Sequence, residues 1–153
     1  KAASGGFDAD WVLLNCGLWD LRTEPSDLPD PRRGLKQVPL DPYRANLQAI
    51  LDVIRGTGVE PIWIRTTPCD EAVHNTRESG FWRFAADCEA YNEAADAVMR
   101  ANAVPRIDLY TFTLNLGNGE ALYADHVHFH EHVREKQAAF IAGWLMAWAE
   151  VTR

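Results

Sequence analysis

Three short apolar runs, DWVLLNCG (10–17), VEPIWIRTTP (59–68) and PRIDLY (105–110), are separated and followed by stretches of helical periodicity. Runs of this length bounded by Gly or Pro read as buried strands. The stretch 40–58 reads as a helix: Leu47, Ile50, Leu51 and Ile54 recur at helical spacing, Asp41 suits the N-cap with Pro42 at the first helical position, and Gly56 or Gly58 ends it. Two more helices are expected at 81–104 and 130–151, the last with Phe140, Ile141, Trp144, Leu145 and Trp148 on its apolar side. The segments 24–34, with three prolines and a glycine, and 69–80 read as loops. Strands joined by helical connections of roughly 15–25 residues pair in parallel through right-handed crossovers. The expectation is an α/β domain spanning 1–153, with helices on both faces of a parallel sheet.

Composition narrows the function. The chain has 153 residues, 47% of them hydrophobic and 24% charged, as in an ordinary globular domain. A net charge of −7 argues against nucleic acid as a partner, because phosphate needs a basic surface. No apolar run approaches the roughly 18 residues of a membrane span, and KAASGGFDAD lacks the apolar stretch of a signal peptide. Cys16, Cys69 and Cys88 form neither a disulfide framework nor a CxxC pattern, and read as buried free thiols.

Sites in such folds lie at the carboxyl ends of the strands. Here those ends are NCGLWD (15–20), TTPCDE (66–71) and the loop before the last helix, which contains YADHVHFHEHV (123–133). A metal site would use His126, His128, His130 and His132. Since His130 onward belongs to a helix and His126 precedes it, one regular element cannot aim all four at one ion, and no metal is expected. Asp125 and His128 differ: Asp and His three apart on a tight turn can meet, and a His acting as general base needs a carboxylate to fix its tautomer.

DHVHF (125–129), VLLNCGLWD (12–20), WIRTTP (63–68) and YNEAADAVMRANAVPRIDLY (91–110) occur in the order of the SGNH (GDSL-like) hydrolases, and the chain resembles that family from its third block to its C-terminal D-x-x-H block. The resemblance implies a three-layer α/β/α, flavodoxin-like parallel sheet and a carboxylic ester hydrolase with a Ser-His-Asp triad. His128 would be the base and Asp125 its orienting partner. Asn15, Gly17 and Trp19 would serve the oxyanion or substrate, with Trp19 where the family's third block has Asn. No cofactor is implied. The substrate would be an acyl or acetyl ester, with an acylated carbohydrate as one candidate.

The family's G-D-S nucleophile block has no match. Ser4, Ser26 and Ser79 all lack a strand-to-turn setting. The resemblance therefore implies a complementing N-terminal segment carrying the nucleophile Ser, outside this chain, so that 1–153 lacks the N-terminal strands of the fold and is inactive alone. Trp11, Val12, Leu13 and Leu14 in succession are typical of a strand covered on both faces, and one side of 11–16 is expected to lack a partner. Two alternatives stand beside this reading. One is a non-catalytic carbohydrate-binding protein that uses Trp19, Trp63 or Trp82. The other is a Cys-dependent hydrolase in which Cys16 or Cys69 faces His128.

Overall fold

The computed structural model describes residues 9–77 and 80–152. Strands β1 (Trp11–Leu14), β2 (Glu60–Ile64) and β3 (Arg106–Ile107) form a parallel sheet in the order β1-β2-β3. Five α-helices are described: α1 (Leu40–Gly56), α2 (Glu71–Asn75), α3 (Ala85–Ala101), α4 (Leu109–Leu114) and α5 (Glu131–Val151). This is the expected mixed α/β architecture.

One face of the sheet is filled. Tyr43, Leu47 and Leu51 of α1, spaced by four, are all but inaccessible to solvent. They pack with Cys88, Tyr91, Ala95 and Met99 of α3 against Trp63 of β2, with Leu14 of β1 at the margin. Truncating a Leu in such a core costs about 2–5 kcal/mol.

The other face is different. Alternation along β2 turns Ile62 and Ile64 away from Trp63, toward the side of α5. Only Val133 and Gln137 of α5 are buried. Phe140 stacks on Phe112 of α4 at 4.2 Å, but no residue from 138 to 151 is buried, and Met146 is 72% exposed. Leu13 of β1 is 40% exposed. Among the described residues β1 pairs only with β2, so its outer edge carries no strand.

Several boundaries differ from expectation. The helix at 40–58 is capped by Pro39, not Asp41; Asp41 sits inside the first turn and pairs with Arg44 at 2.7 Å. Pro42 is tolerated there because first-turn N–H groups need no helical acceptor. Residues 81–84 are not helical: Thr23 and Trp82 exchange both backbone hydrogen bonds, at 2.8 and 3.0 Å, which holds this segment extended. Helix α3 begins after it, with Glu71 Oε2 accepting from the Ala85 N–H at 2.8 Å. The third strand stops at Ile107 because the Asp108 side chain accepts from the Thr111 N–H and starts α4. Asp70 likewise caps α2 in a region expected to be loop.

Candidate active site

The loop before α5 is closed by its own backbone. Tyr123 and Phe129 pair as an antiparallel bridge, and the Ala124 N–H donates to the His128 carbonyl at 2.8 Å. Inside this loop Asp125 accepts three hydrogen bonds. Its Oδ1 takes the N–H groups of Val127 and His128, both at 2.8 Å, and its Oδ2 lies 2.6 Å from His128 Nδ1. These bonds, the His128 backbone N–H foremost, hold the Asp125 carboxyl well below the usual carboxylate range. A carboxylate accepts only, so Nδ1 carries a proton, and in the neutral ring Nε2 is the acceptor, on a side chain that is 77% exposed.

Beside His128 lies an open cleft of about 620 Å³ between the strand ends and α5. Asn15, Ile64, Thr67, Val127 and Gln137 are among its walls. The Asn15 amide faces the end of β2, donating to the Ile64 carbonyl at 2.7 Å and Thr66 Oγ1 at 3.2 Å. The next residue is tied too: the Cys16 carbonyl accepts from the Tyr43 and Thr66 hydroxyls at 2.9 and 3.0 Å. Gly17 follows at φ 144°, and a Cβ there would stand 2.8 Å from Thr66 Oγ1. Only glycine fits this turn without displacing Thr66.

Gly17 and Trp19 do not line the cleft. Trp19 is 62% exposed and packs its ring near Phe81, with the guanidinium groups of Arg83 and Arg22 at 5.1 and 5.3 Å. Of the other tryptophans named in the sequence, Trp63 is fully buried, and Trp82 is partly buried in the Thr23 bridge.

The remaining histidines diverge. His126 turns to His74, His130 Nε2 lies 3.1 Å from the Glu120 carbonyl, and His132 stacks on His130. Among the described residues no group of three or more His, Cys, Asp or Glu is placed to hold a metal. Burial, reinforced by Asp20 for Cys16, pushes the Cys16 and Cys69 thiols up to about 11. A nucleophilic thiol needs the opposite shift.

Sequence reasoning missed His74 and Arg83. His74 lies on the unforeseen α2 and is fully buried against His126. The buried Arg83 donates Nε–H to the Leu18 carbonyl at 2.9 Å. The one available signal was Asp70 ahead of EAVHN, a helix start of five residues.

No family model and no curated protein matches the chain. Solved structures do. The chain superposes on a putative acylhydrolase from Bacteroides fragilis with a TM-score of 0.66 at 17% identity, covering 94% of this chain and 63% of that one. A GDSL-like lipase from Bacteroides thetaiotaomicron gives 0.65 at 16% identity, covering 90% and 62%. A catalytic serine-to-alanine mutant of an acetylxylan esterase from Geobacillus stearothermophilus gives 0.60 at 20% identity, covering 86% and 57%. The chain thus spans less than two thirds of the length of each of these structures. Its three-strand parallel sheet and flanking helices are those of the SGNH (GDSL-like) hydrolase fold.

Proposed function

We propose that this chain supplies the base and orienting acid of a serine ester hydrolase, and that the nucleophile comes from a complementing segment. The observation that carries the reading is the Asp125–His128 pair, joined at 2.6 Å at the carboxyl end of the sheet with Nε2 left as an acceptor. In the reaction, a serine hydroxyl attacks the ester carbonyl while His128 Nε2 takes its proton. Asp125 holds the tautomer and stabilises the imidazolium. The tetrahedral intermediate collapses, the alcohol leaves with the proton from His128, and water hydrolyses the acyl-enzyme by the same route.

Asn15, which lines the cleft beside His128, and Gly17 and Trp19 on the turn that follows are the candidates for oxyanion or substrate contact. Asn15 holds the turn and the cleft wall in its present hydrogen bonds, and would have to exchange one of them to reach an oxyanion. Among the described residues, the unpaired edge of β1, the exposed Leu13 and the uncovered apolar length of α5 support a complementing strand and helix. The acetyl xylan esterases among the structural neighbours favour an acetylated carbohydrate as substrate, and the exposed Trp19 ring suits stacking on a sugar. The same ring suits a sugar-binding protein without catalysis. The pairing of a carboxylate with a correctly poised imidazole favours the enzyme, and the raised thiols disfavour a Cys nucleophile.

The test is hydrolysis of p-nitrophenyl acetate by the chain together with the complementing segment. Turnover is expected, and His128→Ala should lower it by on the order of 10³-fold or more. Unchanged turnover in that variant removes His128 from the mechanism.

A further inference from the structure

The loop bearing Asp125 and His128 is fastened by a contact that the proposed chemistry does not use. His126, between the two, places its Nδ1 2.6 Å from Nδ1 of His74, with ring centroids 4.6 Å apart. The His126 carbonyl also accepts the Asp70 N–H at 3.0 Å, at the residue that caps α2. At the far end of α2, Asn75 brackets Arg83, accepting its N–H at 3.0 Å and donating to its carbonyl at 2.8 Å. Arg83 passes the connection to the Leu18 carbonyl, inside the Gly17–Trp19 turn. Helix α2 therefore braces both halves of the candidate site.

Two Nδ1 atoms at this separation share one proton: one donates and the other offers its lone pair. A second proton makes both nitrogens donors, and the bond becomes a repulsion between cations. The surroundings resist that proton. His74 is fully buried. Arg77 and Arg83 act on both rings, and His128 adds to the positive field at His126. The Phe81 ring packs on His74 at 5.3 Å, and its backbone favours the protonated form. Asp125 is the acid that acts on His126, and it already accepts from His128 and two backbone N–H groups. Burial first, then Arg83 and His126, brings His74 down to about 4, and burial followed by Arg77 lowers His126.

We infer that His74 is a positioning residue: its bond to His126 fixes the loop of Asp125 and His128 against α2, and it holds only while the pair carries a single Nδ1 proton. Acid opens this clasp and loosens the loop while leaving the Asp125–His128 bond itself intact. The consequence for turnover rests on the esterase reading; the clasp does not.

Imidazole and amide NMR of the ¹⁵N-labelled chain tests it without any hydrolysis. Near neutral pH one exchange-protected proton should couple to both Nδ1 nitrogens. As pH falls from about 7 toward about 4, that proton should vanish and the amides of 123–129 should broaden together. His74→Gln, which keeps a hydrogen-bonding group but cannot titrate, should leave the loop amides equally sharp across the range. His126→Gln supplies the same comparison from the less buried partner if the first variant does not fold. Independent titration of the two histidines near 6.5, or loop amides indifferent to the loss of the shared proton, would overturn the inference. In the reconstituted enzyme His74→Gln should also remove one ionisation from the acid limb of kcat, with KM unchanged. Absence of esterase activity would defeat the proposed function and leave the NMR result standing.

Discussion

Asp125–His128 and His74–His126 are joined at the same 2.6 Å, and their loop histidines lie two residues apart. Their physics is opposite. The first sets an imidazole on a carboxylate, with the histidine side chain 77% exposed. The second sets an imidazole on an imidazole, with His74 wholly out of solvent. A carboxylate stabilises the imidazolium, so the first pair suits a group that takes up and releases a proton. A buried neutral partner penalises the imidazolium, so the second pair is suited to holding. The partner and the solvent separate the proposed base from the proposed fastener, since both ends of the contrast use the same residue type on the same loop.

Variants should widen or erase this contrast. The largest effect is expected at His128→Ala, with a loss on the order of 10³-fold or more in ester turnover and no change in thermal midpoint at pH 7. Asp125→Asn comes next. Its Oδ1 still accepts the two backbone N–H groups, but an amide N–H now faces Nδ1 and favours the wrong tautomer, so a fall of about 10²–10⁴-fold is expected in the same assay. If Asp125→Asn costs nothing while His74→Gln costs much, the two roles have been exchanged.

The third effect is on stability. His74 has its ordinary value of 6.5 in the unfolded chain and about 4 in the folded one. Between those limits the unfolded state binds more protons, so stability is full above about 6.5 and falls as pH drops toward 4. Denaturant midpoints should decline through that window in the wild type and decline less in His74→Gln. The smallest effect is at His132→Ala, on the exposed first turn of α5, where rate and midpoint should stay within about two-fold and about 0.5 kcal/mol.

The legible parts of the molecule were those where local pattern and tertiary burial agree. Leu47 and Leu51 on α1, and the run through Ile62 and Trp63 on β2, announce their faces because those faces are buried. Asp125 and His128 were legible as a pair because both lie on one turn. His74 was not, since its partner is 52 residues away and nothing in EAVHN predicts the meeting. Residues 81–84 carry helical periodicity, yet the bridge to Thr23 outweighs it. PRIDLY reads as one apolar run, but Asp108 divides it by capping α4. At Gly17 the sequence marked the end of a strand, while the reason for glycine, the approach of Thr66 and Tyr43, emerges only in three dimensions.

On the proposed reading His128, oriented by Asp125, activates a serine carried by a complementing segment. A fluorophosphonate probe tests it directly, because it phosphonylates only an activated nucleophile and marks it for peptide mass mapping. In the chain with its complement, the adduct is predicted on a serine of the complementing segment and should be lost in His128→Ala. An adduct on Cys16 or Cys69, or serine labelling at an undiminished rate in His128→Ala, would contradict the account.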